Sequence, residues 1–332
     1  MWPREKTGKR VWITRQHGFS MLEMMITLFI LLSVAGIVMA ALMQMTNTQG
    51  TVANRTAMHS SVRSATELLQ QEIGQAGKIA LPPGGPTKMN TSVIAAQIVN
   101  TDIGWTGAVT LDSAAGVYNG MLLVVDTGDQ EETVAVTNLL PATKTFTGTF
   151  LLTHAAPVPV RVAGAFASGI VPTTYTCGAA NCGSTGTLLK LFGDINDDGN
   201  MQYIEYNCDT TGGNLYRNSM SFTSASKPAL SSSLVLLPNI TVNPPDPGGT
   251  GNAPCFKYEQ QTVGTYTYVT DVSVTLTVQT QNLDPQTHVL QQETKALLNV
   301  SPRNIFEGWQ LAGGSVSNRI QPMPPTVTSL LP

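Results

Sequence analysis

The sequence predicts an α+β protein: a long N-terminal helix, transmembrane in its first half, packed on an antiparallel β-sheet that carries β-rich insertions. Three observations predict it. An uncharged apolar run from Met24 to Met43 lies near the N-terminus, and apolar residues at helical spacing follow it. After Pro82-Pro83 the chain turns rich in Gly, Pro, Thr, Val and Asn, with alternating strand patterns in place of a helical stripe. At 332 residues the chain has room for one or two domains. Charged side chains make up 12%, against about 25% in an average soluble domain. That balance excludes a basic nucleic-acid binder and a charge-driven disordered chain.

The net charge of −3 is unevenly placed. Residues 1–18 carry Arg4, Lys6, Lys9, Arg10 and Arg15 against Glu5, a balance of +4, which leaves −7 for the remainder. A basic front end before an acidic body marks an export signal. From Phe19 to Met45 the one ionisable side chain is Glu23. About 20 apolar residues cross a bilayer core, so residues 19–45 read as a transmembrane helix half. Positive residues before it stay cytoplasmic and put the body outside. The apolar core is too long for a conventional cleaved signal, so this segment is expected to be retained.

A carboxylate inside an apolar helix is costly, about 2.5–3.5 kcal/mol at mid-membrane, and such residues are usually functional and paired. Glu23 sits in the string Gly18-Phe19-Ser20-Met21-Leu22-Glu23-Met24-Met25. That string resembles the class III signal of type IV pilins and pseudopilins, with Ser and Met where Thr, Leu or Ile are commoner. The resemblance implies that residues 1–18 are a leader, that a prepilin peptidase cuts between Gly18 and Phe19, and that Phe19 is N-methylated. It also implies that the new α-amine neutralises Glu23 between subunits, an assembly salt bridge.

Met58, Val62, Ala65, Leu69, Ile73 and Ala76 recur at spacings of three and four, so residues 46–77 read as an exported amphipathic continuation of the helix. Gly77 and Pro82-Pro83 stop it. At 1.5 Å per residue the whole helix is roughly 88 Å long, and Gly36 and the Asn47–Gly50 stretch are points where it can bend or melt. The segment Thr66–Gly77 resembles the helix end of PilW-type minor pilins and of J-type minor pseudopilins.

Residues 78–312 read as a β-rich exported domain. Val272, Val274, Leu276 and Val278 alternate with polar residues, Asn282–Pro285 makes a turn, and a second strand around His288 to Val300 completes a hairpin. The ending Asn299–Ile305 resembles the last strand of PilW-type proteins. Residues 105–165 read as an inserted module with strands at Gly120–Asp126 and Glu132–Val136, similar to small β modules of phage and surface proteins. His154 in it reads as a turn or packing residue rather than a ligand. Residues 313–332, rich in proline at their centre, read as a disordered tail.

Cys177, Cys182, Cys208 and Cys255 all fall in the exported part, where oxidising conditions favour disulfides over zinc. Sequence proximity favours Cys177–Cys182, leaving Cys208–Cys255. The run Asp194 to Glu205 fits the calcium-loop pattern D-x-[DN]-x-[DN]-G-x5-E in full. Asp194, Asn196 and Asp198 would offer side-chain oxygens, Asn200 its carbonyl, Gln202 a water-mediated contact and Glu205 two oxygens to Ca2+. Strand-like flanks make it a loop inside a β-hairpin, and the competing reading is a hairpin turn without an ion.

No phosphate loop, metalloprotease helix or nucleophile elbow appears, and His59, His154 and His288 lie far apart, so no enzyme is expected. Taken with the resemblance, the chain reads as a PilW-like, tip-proximal minor pilin that helps prime type IV pilus assembly. Its implied partners are the prepilin peptidase, the other minor pilins, the major pilin and the inner-membrane assembly platform. The implied location is the inner membrane, single-pass with the body in the periplasm, and then the pilus. A minor pseudopilin of type II secretion and a calcium-dependent adhesive tip subunit are the alternatives.

Overall fold

The computed structural model describes residues 18–94 and 104–332. Helix α1 runs Met21–Gln75 without a break. Neither Gly36 nor the Asn47–Gly50 stretch melts it. Thr46, Thr48 and Thr51 each donate a hydroxyl to the carbonyl four residues earlier, so the helix satisfies its own polar side chains. The chain divides into two compact units. The first is α1 up to Ala53 with the loop Asp284–His288, and the second holds Asn54–Leu283 with Val289–Pro332.

In the first unit the helix side chains are exposed, Phe29, Ile37 and Met43 among them. An 18-residue window reaches a mean hydropathy of 2.6 with none of it buried, long and apolar enough to cross a membrane. At the end of this unit Thr51 donates to Asp284 at 3.1 Å and Gln286 donates to Thr48 at 3.0 Å.

In the second unit all six residues of the apolar stripe are buried. They share one core with Leu189, Leu191, Ile204 and Tyr206 from one sheet and with Val272, Val274 and Leu276 from another. The first sheet is an antiparallel meander of Leu188–Gly193, Gln202–Asp209, Asn214–Ser221 and Val235–Pro238. The second centres on Tyr266–Gln279, which pairs with Phe256–Val263, Ile240–Thr241 and Gln292–Val300. The chain leaves that last strand at Pro302, and Ile305 opens helix α2 (Ile305–Gly313), so the expected strand ends short of Ile305.

The end of α1 is fixed by backbone geometry. Gly77 adopts φ +84, a conformation that favours glycine, and its N–H donates to the Phe192 carbonyl at 2.9 Å. Gly169 crosses so close that a Cβ there would lie 1.8 Å from the Gly77 nitrogen. Asn304 donates its amide to the Gln75 and Ala76 carbonyls, which the helix leaves without partners.

The stretch from Lys88 to Val162, which holds the expected module, forms two antiparallel sheets. One orders Lys88–Met89, Val158–Val162, Leu122–Val125 and Glu132–Ala135; the other orders Trp105–Thr110, Thr145–Phe150 and Thr137–Leu140. Met89, Val109, Leu123, Val134, Phe146 and Phe150 close its core.

The expectation of a disordered tail does not hold. Ile320–Gln321 pairs in parallel with Ala165–Phe166, and helix α3 spans Pro325–Leu330. Val327, Leu330 and Leu331 are buried in the core that the module uses, and the Lys190 ammonium donates to the Leu331 carbonyl. Three apolar side chains among many prolines are enough to order the segment.

Candidate functional site

Gly18 and Phe19 are exposed and precede the first turn of α1, in which Glu23 is the one acid. Residues 1–17, the rest of the expected leader, lie outside the described residues. Ser20 supplies the carbonyl that the Met24 N–H reaches at 3.0 Å, so the helical ladder starts at the junction itself. A peptide bond exposed at a helix mouth suits a protease. Among the described residues Glu23 forms no ion pair, and it lies in the first turn of α1, near the helix N-terminus.

The Asp194–Glu205 segment joins the strands Leu188–Gly193 and Gln202–Asp209, with Gly193 opposite Gln202. Asp194 is 1% exposed and organises the turn. Its two oxygens accept the Asp198 and Gly199 N–H groups at 3.0 and 3.3 Å. The Lys78 ammonium lies 3.3 Å from Asp194 and also bonds Asp197. Asp197, with Asp194 adding to it, holds the ammonium above the ordinary lysine value against a small opposing effect of burial.

The other expected ligands point elsewhere. Asp198 accepts from the Asn200 N–H at 2.8 Å, and Gln202 accepts from Ser219 at 2.9 Å. Asn196 is exposed at the tip. Glu205 stands opposite Lys190, three residues up the strand and about 10 Å from the turn, where Tyr203 and Lys227 (2.9 Å) donate to it. Calcium needs six to eight oxygens at about 2.3–2.6 Å; here Asp194 is bonded by backbone N–H groups and lies beside Lys78, and Glu205 is bonded by Tyr203 and Lys227. Among the described residues no group of three or more His, Cys, Asp or Glu is arranged to hold a metal ion. The cysteines are bonded Cys177–Cys182 and Cys208–Cys255.

Two polar clusters have no counterpart in the sequence reading. Glu72, buried on α1, meets Arg217 and Tyr206. His154, expected as a turn or packing residue, is fully buried between Asp126 and Glu132. An acidic residue on the apolar stripe side of α1, three positions from Leu69, was the available signal for the first. The second joins positions 22 and 28 residues apart, which no local pattern connects.

A helix long and apolar enough to cross a membrane continues into a β-rich domain and there buries its amphipathic half, a mixed α+β build consistent with a pilin fold. The family model described as the prokaryotic N-terminal methylation motif matches residues 13–41, and this supports the type IV pilin-like class. The matched stretch contains Gly18, Phe19 and Glu23. No curated protein and no solved structure shows a significant match to the chain.

Proposed function

We propose that the protein is a minor, tip-proximal pilin that helps prime type IV pilus assembly and does no catalysis itself. One observation carries the reading: the methylation motif runs straight into a single helix whose apolar half is exposed and whose second half anchors a β-rich domain. In this reading a prepilin peptidase cuts after Gly18 and methylates Phe19. The new α-amine then pairs with Glu23 of a neighbouring subunit. The helix holds the chain in the inner membrane with its body in the periplasm until the other minor pilins, the major pilin and the assembly platform draw it into the fibre. The inserted module, the bonded hairpin at Cys177 and the tail enlarge one subunit, which suits a place at the tip better than one repeated along a shaft.

Deleting the gene and scoring pili by electron microscopy beside secretion of exoproteins tests the proposal. Loss of pili with secretion intact supports it. Intact pili with failed secretion assigns the chain to a secretion pseudopilin instead. Glu23→Ala removes a membrane penalty, so insertion persists while incorporation into the priming complex falls.

A further inference from the structure

His154 has a carboxylate on each ring nitrogen. Its Nδ1 lies 2.9 Å from Asp126 Oδ2 and its Nε2 lies 2.7 Å from Glu132 Oε1, with the side chain 0% exposed. The ring also meets Phe150 edge-on, with centroids 5.9 Å apart. A neutral imidazole has one N–H and one bare lone pair, and an ionised carboxylate only accepts. With both carboxylates ionised, both contacts are hydrogen bonds only when both nitrogens carry protons. A neutral ring would aim a lone pair at a carboxylate oxygen less than 3 Å away, out of reach of water.

We propose that Asp126, His154 and Glu132 form a buried proton-binding site, in which a doubly protonated His154 clasps residues 151–156 to the hairpin of Leu122–Val125 and Glu132–Ala135. The clasp holds more than the ring. Glu132 accepts the Leu151 and Leu152 N–H groups at 2.7 and 3.2 Å. The His154 backbone exchanges hydrogen bonds with Val93 at 2.8 and 2.9 Å, and the Ala156 N–H reaches Ser92 at 3.0 Å. Residues 151–156 are thus bonded to the hairpin through the ring and Glu132, and to Ser92 and Val93 through the backbone.

The other charged groups described here do not replace the histidine. Arg161 donates to the Asp126 backbone carbonyl at 3.3 Å, while its guanidinium pairs with Glu131 at 2.7 Å. Arg319 also pairs with Glu131. Both guanidinium groups are engaged on Glu131, which leaves His154 as the cation between Asp126 and Glu132. The His154 hydrogen bond is the largest influence holding the Asp126 carboxyl below the usual aspartate range, against some desolvation.

The sign of the pH dependence follows. A doubly protonated ring is the cation between two carboxylates, and losing that proton removes one of its two hydrogen bonds, so stability falls as pH rises. Asp126 acts at the other end. Its depressed value contributes stability above about pH 3.9, lost as pH falls through the folded value.

The full chain in detergent micelles, labelled with nitrogen-15 and assigned with His154→Gln, gives the direct reading. At about pH 7, long-range proton–nitrogen correlation should show both His154 nitrogens protonated; a ring with a single N–H overturns the proposal. Asp126→Asn supplies an amide that suits a neutral ring and does not depend on the His154 variant folding. Between about pH 6 and pH 9 the wild-type melting midpoint should fall relative to that of Asp126→Asn. Parallel midpoints across that range would also overturn it.

Discussion

Glu72 on α1 receives Arg217 from the sheet twice over: Nη2 reaches Oε1 at 2.5 Å, and Nε reaches Oε1 and Oε2 at 3.0 and 3.2 Å. The Tyr206 hydroxyl donates to the same carboxylate. Burial disfavours the charged guanidinium, yet the bonds and charge of Glu72 outweigh it and raise Arg217 above its ordinary value. The helix is thereby fixed in register on two neighbouring strands by a charge pair whose carboxylate is buried and whose guanidinium stays partly exposed.

Breaking this pair from one side should be severe. Arg217→Met leaves a buried carboxylate without its cation and should lower unfolding free energy by about 3–5 kcal/mol in denaturant titrations. Replacing the set together, with Glu72→Leu, Arg217→Met and Tyr206→Phe, should recover most of that loss, because an apolar set of similar volume strands no charge.

The two halves of α1 should respond differently to truncation. Leu69→Ala empties a fully buried position and should destabilise the β-rich unit by about 2–5 kcal/mol. Ile37→Ala, on the exposed apolar half, should leave its melting midpoint unchanged.

That contrast reflects what a sequence can disclose. Spacings of three and four from Met58 to Ala76 mark the buried face because helical periodicity is local, and the alternation from Val272 to Val278 marks a strand for the same reason. Local pattern fails where the partner is distant in the chain. The spacing of Asp194 to Glu205 gives no sign of Lys78, over a hundred residues earlier, which pairs with Asp194 and Asp197, nor of Lys227, which bonds Glu205. The proline-rich end looks disordered until Ala165–Phe166 and the module core cover it. The Asp126–His154–Glu132 contact exists only once the module has closed.

Thermal melts in about 2 mM calcium and in a chelator should coincide, since the buried Asp194 is already served by backbone N–H groups and Lys78. Lys78→Ala should lower the midpoint equally in both. A calcium-dependent rise in the wild-type midpoint would require Glu205 to leave Lys227 and join the turn.

The disulfides should differ in weight through the loops they close. Cys208–Cys255 spans 47 residues, and replacing both cysteines with serine should cost about 4 kcal/mol. Cys177–Cys182 spans 5, and its loss should cost about 2 kcal/mol in the same denaturation assay.

The most direct test of the pilin reading is the N-terminus of the protein recovered from the membrane fraction of a cell that has the peptidase. Intact mass and terminal sequencing should show a chain beginning at N-methylated Phe19, and Gly18→Val should abolish that product. A wild-type chain that still carries Arg15 would contradict the account.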